Sequence, residues 1–139
     1  MGNNFKYDEI SVGDDFSFEA IISLDKQNQF TEISGDLNPL HIDKDYAVKN
    51  KFEDRVAYGL LTSSFYSKLI GVYIPGDRCL LNEITVKFKN PAYIGDKVEV
   101  SGKIIEKYDL FSQLVISAKI VRISDFKVIS KAKIKVGVL

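Results

Sequence analysis

The chain carries its only histidine, His41, five positions after an aspartate, Asp36. A carboxylate and an imidazole that reach the same point in space can accept and donate protons near neutral pH. Asn38 and Pro39 lie between them and interrupt helical periodicity, so we expect residues 34–42 to form a shaped loop. The chemistry that this segment favours is general acid–base catalysis.

Short elements are predicted on both sides of this loop. A partly alternating aromatic run over residues 15–22 predicts a first strand. Ser23 can cap a helix that runs to about residue 33, with Phe30 and Ile33 spaced to face inward. Asp43 can cap a second short helix after the loop. The polar loop lies between these two helices.

The most apolar segment covers residues 56–74, in which apolar and small side chains recur at helical spacing and Lys68 is the only charge. Such a helix is expected to be nearly buried. The second half of the chain changes period and predicts four long strands joined by short turns, over residues 80–88, 96–107, 110–123 and 127–138. Short turns imply antiparallel neighbours. One antiparallel sheet around one buried helix is the simplest arrangement, which makes residues 1–139 a single α+β domain.

Composition matches an ordinary globular domain. Hydrophobic residues make up 45% and charged residues 27% of the 139 residues, enough for one core. Nineteen basic and nineteen acidic residues cancel, so neither nucleic acid nor an anionic membrane is an expected partner. No apolar run has the length of a membrane span, and a cytoplasmic location is expected. With one cysteine, Cys79, and one histidine, neither an internal disulfide nor a usual zinc site is expected.

The stretch from Phe30 to Ala47 resembles the signature of the MaoC-like, or type 2, enoyl-CoA hydratases. That signature runs from an aromatic residue through Ser-Gly-Asp, Asn-Pro, an aliphatic residue and His to a small residue. Every fixed position is filled here, by Phe30, Ser34, Gly35, Asp36, Asn38, Pro39, Leu40, His41 and Ala47. Weaker likenesses over residues 57–61, 74–76 and 88–96 extend the resemblance to most of the chain. The resemblance implies the hot-dog fold, a curved antiparallel sheet around a long helix.

By this resemblance, Asp36 and His41 are the catalytic pair, which would hold one water molecule and exchange two protons with the substrate. Asn38 would orient that water or support the loop, and Ser34 would shape the loop. Gly59, at or near the start of the predicted buried helix, would donate its backbone N–H to the oxyanion formed on a thioester carbonyl. The alternative for Gly59 is close packing of the helix at a residue without a side chain.

Tyr58 departs from the family pattern, which usually has histidine at this position. Tyrosine keeps a hydrogen-bonding tip but does not titrate near neutral pH. We expect the Tyr58 side chain to support the catalytic pair without contacting the substrate itself. Ser67, two helical turns after Gly59, is also expected to support the catalytic loop, the alternative being a small residue that eases packing between helix and sheet.

The resemblance implies a hydro-lyase that adds water reversibly to trans-2-enoyl thioesters and forms (R)-3-hydroxyacyl thioesters. Coenzyme A or acyl carrier protein would be part of the substrate, and no separate cofactor is expected. A homodimer or a dimer of dimers is also implied. Two alternatives stay open: a hot-dog acyl thioesterase, in which Asp36 would serve a hydrolytic water, and a non-catalytic acyl-thioester-binding module.

Overall fold

A five-stranded antiparallel sheet packs against one helix in the computed structural model, which describes residues 2–139. The strands are β1 (Asp15–Ile21), β2 (Cys79–Phe88), β3 (Lys97–Tyr108), β4 (Gln113–Arg122) and β5 (Val128–Val138), in the spatial order β1-β3-β4-β5-β2. The helices are α1 (Leu24–Ser34), α2 (Pro39–Ile42), α3 (Lys44–Lys49) and α4 (Gly59–Lys68), with a π-helical turn over Leu69–Tyr73 and 3₁₀ turns over Tyr7–Glu9 and Asp109–Phe111. The predicted α+β arrangement of one sheet and one central helix is confirmed.

The four strands predicted in the second half of the chain are confirmed, with one clear boundary change. β4 begins at Gln113 rather than at residue 110, because Asp109–Phe111 form a 3₁₀ turn and Ser112 follows with a left-handed backbone, φ 46°. β3, β4 and β5 pair with their neighbours in sequence, whereas β2 pairs with the far side of β5. The two earliest strands therefore form the two edges of the sheet.

Local hydrogen bonds set the helix ends on both sides of the predicted loop. Ser23 Oγ accepts the backbone N–H three residues later at 3.2 Å, so α1 begins where the sequence predicts. Gly35 ends α1 with a left-handed backbone, φ 69°. Asn38 Oδ1 then accepts from Leu40 N at 3.0 Å and caps α2. The irregular loop is shorter than predicted, because Pro39 has a backbone suited to the first position of a helical turn.

Helix α4 is fixed by direct contact with the sheet. Leu61 and Tyr66 of α4 and the following Leu69 are buried. Gly102 of β3 permits this close approach, because a Cβ there would lie 2.7 Å from Leu69 Cδ2. The buried Tyr66 hydroxyl lies 2.8 Å from Ser130 Oγ on β5, so its hydrogen bond is satisfied inside the core. These contacts determine where the N-terminal end of α4 lies.

The central helix is shorter and more exposed than predicted. It begins at Gly59 rather than at residue 56, and Leu60 is 68% exposed. Val72, in the π-helical turn that follows α4, is 38% exposed. A single sheet covers only one side of the helix, so apolar residues around the rest of its circumference remain open in one chain. Within residues 2–139, no helix is both long and apolar enough to cross a membrane.

Strand β2 leaves an apolar edge open. It pairs with β5 on one side only. Four of its large apolar side chains are 38–54% exposed, namely Leu80, Leu81, Ile84 and Phe88. A long edge strand with exposed apolar side chains is a surface that proteins usually cover.

Candidate active site

The predicted catalytic loop is shaped by short polar side chains that bond to nearby backbone. Ser34 Oγ donates to the Phe30 carbonyl at 2.7 Å and accepts from Asp36 N at 3.1 Å. Asp36 Oδ1 accepts from Asn38 N at 2.9 Å, and Asn38 Oδ1 caps α2 at Leu40. Each side chain thus closes a tight turn of its own. The Asp36 side chain stands on the exposed side of these turns.

The imidazole of His41 is held in one orientation. Its Nδ1 lies 2.7 Å from the carbonyl oxygen of Val56. Because a carbonyl oxygen can only accept, Nδ1 carries the proton and the neutral ring has its lone pair on Nε2. The ring also packs against Tyr58, with ring centroids 4.1 Å apart and planes inclined by 31°. Nε2 is therefore the His41 atom available to a substrate or a water molecule.

Tyr58 connects the His41 side of the site to the Asp36 loop. The side chain is almost fully buried, and its ring packs between His41 and Phe30, whose centroid is 4.9 Å away. The hydroxyl donates to the backbone carbonyl of Asp36 at 2.6 Å and lies 2.9 Å from Thr31 Oγ1. The tyrosine that departs from the family pattern thus touches both predicted catalytic residues.

Gln27, on α1, is a site residue that sequence reasoning missed. Its side chain is 1% exposed. Nε2 donates to the carbonyls of His41 at 3.1 Å and Val56 at 3.2 Å, and Oε1 accepts from Tyr58 N at 3.3 Å. One amide group therefore ties α1 to α2 and to the segment that leads into α4.

One face of α1 contacts the site from Gln27 to Ser34. Gln27, Phe30, Thr31 and Ser34 are spaced as i, i+3, i+4 and i+7, which places them on one side of a helix. The prediction for Ile33 is wrong, because this side chain is 83% exposed. A polar residue at i−3 from the inward Phe30 was the signal that could have indicated Gln27.

A cavity of about 280 Å³ opens beside His41. Its lining includes His41, Gly59, Thr62, Phe88, Lys89 and Ala92, so α2, the start of α4 and the end of β2 all border it. A larger open depression of about 580 Å³ lies over Ser101, Lys119 and Lys131 of the sheet. The smaller cavity is the candidate site, because it alone of these two contains any predicted site residue.

Gly59 is the first residue of α4 and borders this cavity. Backbone N–H groups in the first turn of a helix have no partner within the helix and lie at the positive end of its dipole. A Cβ on Gly59 would lie 2.9 Å from Cε1 of Phe88, so glycine is also needed for close packing here. Both interpretations of Gly59 therefore have a physical basis, and the oxyanion role stays a prediction.

The structure does not place every predicted residue at the cavity. The Asp36 carboxylate is not part of the lining, and it forms no hydrogen bond with His41 within residues 2–139. Tyr58 joins the two through the Asp36 main chain instead. Ser67 is exposed near the C-terminal end of α4, and its side chain forms no hydrogen bond within the described chain. The roles of these side chains stay predictions.

Sequence comparisons find similar hydratases and dehydratases. An (R)-specific enoyl-CoA hydratase from Rhodospirillum rubrum is 34% identical over 105 residues, which cover 73% of this chain and 73% of that protein. A 3-hydroxybutyryl-CoA dehydratase from Methylorubrum extorquens is 33% identical over 100 residues, which cover 72% of this chain but 64% of that protein.

The fold has close counterparts among solved structures. The R-hydratase PhaJ1 from Pseudomonas aeruginosa superposes with a TM-score of 0.89 at 25% identity, over 99% of this chain and 87% of that chain. The hot-dog fold predicted from the sequence is thereby confirmed. A family profile described as "MaoC like domain" matches residues 9–124. A match over so much of the chain, together with these relatives, shows that this protein belongs to the MaoC-like dehydratase family.

Proposed function

We propose that the protein is a hydro-lyase that adds water reversibly to trans-2-enoyl thioesters and yields (R)-3-hydroxyacyl thioesters. The observation that carries the proposal is that His41 and Gly59 line the same cavity. The imidazole and the N-terminal end of α4 therefore border one space. Tyr58 ties this cavity to the loop that holds Asp36. Family membership gives the arrangement its reaction class.

Hydration needs three groups, and the chain offers each of them. As the water oxygen bonds to C3, its proton must pass to a base, and a proton must reach C2. His41 Nε2 and the Asp36 carboxylate would share the water and carry both transfers. The thioester carbonyl gains negative charge between these steps, and the Gly59 N–H would stabilise that charge. Delivery of oxygen and proton from one loop would produce a syn addition.

The proposal needs no separate cofactor, because both proton transfers use side chains of the chain itself. The carrier would be coenzyme A or acyl carrier protein, attached to the acyl group as part of the substrate. We place the reaction in the cytoplasm, where the single free cysteine would stay reduced.

Incubation with crotonyl-CoA tests the proposed reaction. We expect the enoyl absorbance to fall without release of free thiol, because hydration leaves the thioester bond intact. Crotonyl-acyl carrier protein forms a second arm of the assay. Release of thiol would instead identify a thioesterase. Binding of both substrates without loss of the enoyl absorbance would identify an acyl-binding module, and either outcome would overturn the proposal.

We also propose that two copies of the chain form the working enzyme. The open edge of β2 needs a cover, and Phe88 at its end packs on Gly59, next to the exposed Leu60. Around Asp36, Ile33 is 83% and Leu37 is 68% exposed. A second copy over these surfaces would bury the apolar side chains and exclude bulk water from the Asp36 carboxylate, which strengthens its electrostatic interactions.

Substitution of Ile84 by lysine tests this assembly. In multi-angle light scattering, we expect wild type at twice the mass of one chain and Ile84→Lys at the mass of one chain, because a charge on the apolar face of β2 must be desolvated on pairing. Thr85→Lys is the matched control, since alternate residues of a strand point to opposite faces. A monomeric wild type, or an Ile84→Lys variant that stays dimeric, would contradict this interface.

A further inference from the structure

We propose that Gln27 is a positioning residue for the acid–base pair, and that it keeps His41 in the tautomer with the proton on Nδ1. The inference rests on the proposed function for the use of His41 in catalysis. Its structural part, control of the imidazole by a buried amide, stands on the contacts alone. Gln27 lies 14 residues before His41 and does not line the cavity, but its amide bonds directly to the backbone carbonyls of His41 and Val56, which do.

The orientation of the Gln27 amide follows from its partners. Nε2 faces two carbonyl oxygens, of His41 and Val56, and Oε1 faces the backbone N–H of Tyr58. The flipped amide would set an oxygen against two oxygens and an NH₂ group against an N–H. Only one orientation therefore satisfies all three hydrogen bonds, and the group acts as a rigid connector.

The Val56 carbonyl oxygen is the atom through which Gln27 acts on the imidazole. It accepts from Gln27 Nε2 at 3.2 Å and from His41 Nδ1 at 2.7 Å. The Val56–Ala57 peptide is also held through its N–H, since Ala57 N donates to the Ala92 carbonyl at 2.7 Å. The Gln27 bond therefore adds a second restraint, on the carbonyl oxygen itself, and fixes its direction toward Nδ1. Without Gln27, the carbonyl could tilt about the Ala57 anchor, which would weaken the bond that selects the tautomer.

The same amide also reaches the Asp36 side of the site. Gln27 Oε1 anchors the backbone of Tyr58 just where α4 begins. The Tyr58 ring packs on His41, and its hydroxyl holds the Asp36 carbonyl at 2.6 Å. Loss of Gln27 would therefore loosen both halves of the catalytic pair together.

Burial explains why a polar side chain is informative here. The Gln27 side chain is 1% exposed, and an apolar residue of similar shape would fill this space without desolvating an amide. A fully satisfied buried amide rigidifies its surroundings and specifies one arrangement of them. We infer that the position uses glutamine because the site needs directed hydrogen bonds.

The single imidazole allows a direct test without substrate. In uniformly ¹⁵N-labelled protein at a pH where His41 is neutral, nitrogen chemical shifts identify which ring nitrogen carries the proton. We expect Nδ1–H in wild type and a mixture with Nε2–H in Gln27→Met, which keeps the shape but loses all three hydrogen bonds. Gln29→Met is the matched control, because Gln29 is an exposed glutamine on another side of α1.

Kinetics with crotonyl-CoA provide the second readout. We expect Gln27→Met to lower kcat by about tenfold or more, the scale of a small misplacement of catalytic groups, with KM changed by less than about twofold because substrate contacts remain. Gln27→Glu is a second variant, which keeps the acceptor for Tyr58 N and can donate to at most one of the two carbonyls, and only in its protonated form. It should show the same mixed tautomer and lower kcat.

Three outcomes would overturn the inference: wild type with the proton on Nε2, variants with wild-type nitrogen shifts, or variants with wild-type kcat. A wild type that lacks hydratase activity but shows the dependence of the tautomer on Gln27 would overturn the proposed function and leave the positioning role intact. An active wild type whose tautomer and kcat do not depend on Gln27 would overturn the positioning role and leave the proposed function intact. The two failures are therefore distinguishable.

Discussion

Replacing His41 by alanine should lower kcat for hydration of crotonyl-CoA by at least about a hundredfold, the usual scale for a positioned acid–base group. The substitution removes the only imidazole of the chain and with it the lone pair on Nε2 beside the cavity. Since Nδ1 is bonded to Val56, no other atom of this ring can take that role. The rate is followed by loss of the enoyl absorbance, with far-UV circular dichroism to verify the fold.

The control for this variant is Ile42→Ala, which truncates the next residue of the same helical turn. Ile42 is 41% exposed, so this change should leave kcat near that of wild type. Added imidazole should restore part of the rate of His41→Ala if the ring acts chemically. Near-normal turnover of His41→Ala would show that its role has been wrongly assigned.

Asp36→Asn should also lower kcat by at least about a hundredfold, for a different reason. Asparagine keeps the Oδ1 atom that accepts from Asn38 N, so the turn that shapes the loop can persist. It loses the negative charge and the ability to accept and return a proton. The expected variant is therefore folded and binds substrate, but is slow in the chemical step. Single-turnover measurements separate these two effects.

Asp45→Asn makes the same chemical change at an exposed carboxylate in the first turn of α3. Its kcat should match wild type. Equal losses in Asp36→Asn and Asp45→Asn would point to a general charge effect and would contradict a specific role for Asp36.

The double variant of Asp36 and His41 shows whether the two groups act on one water molecule. Groups that act as a unit are strongly non-additive, so the double variant should be little slower than the slower single variant. Multiplication of the two losses would mean that they act independently. In a single chain the Asp36 carboxylate does not line the cavity. The double variant therefore shows whether Asp36 acts together with His41 in the working enzyme.

Most element boundaries could be predicted because caps and turns act over a few residues. Ser23 and Asp43 both accept the backbone N–H three residues later, as their positions before helices predict. Burial was predicted less well. Leu60 and Leu61 are adjacent and chemically identical, yet Leu60 is 68% exposed and Leu61 is 7% exposed, because only one side of α4 meets the sheet.

The candidate site also combines features that could be predicted from the sequence with features that could not. The motif that holds Asp36, Asn38 and His41 is contiguous, so its turns could be predicted from local chemistry. The resemblance predicts support from Tyr58, but the partners of Tyr58 and Gln27 could not be predicted, because these contacts join residues 14 to 31 positions apart. A polar residue in a helix carries no local sign of its distant partner.

Residue order alone predicted the acid–base chemistry, from one imidazole, a carboxylate five positions before it, and a turn-rich segment that holds both. The packing of α1 against α2 and α4 determined which imidazole nitrogen is free, because it placed the Val56 carbonyl oxygen beside His41 Nδ1. It also placed the Gln27 amide against the backbone carbonyls of both Val56 and His41. Local propensity acts through neighbouring dihedral angles and short hydrogen bonds. The tautomer of the His41 imidazole depends on the carbonyl of Val56, which lies 15 residues away in the sequence. Only the folded arrangement of the helices brings the two groups within hydrogen-bonding distance.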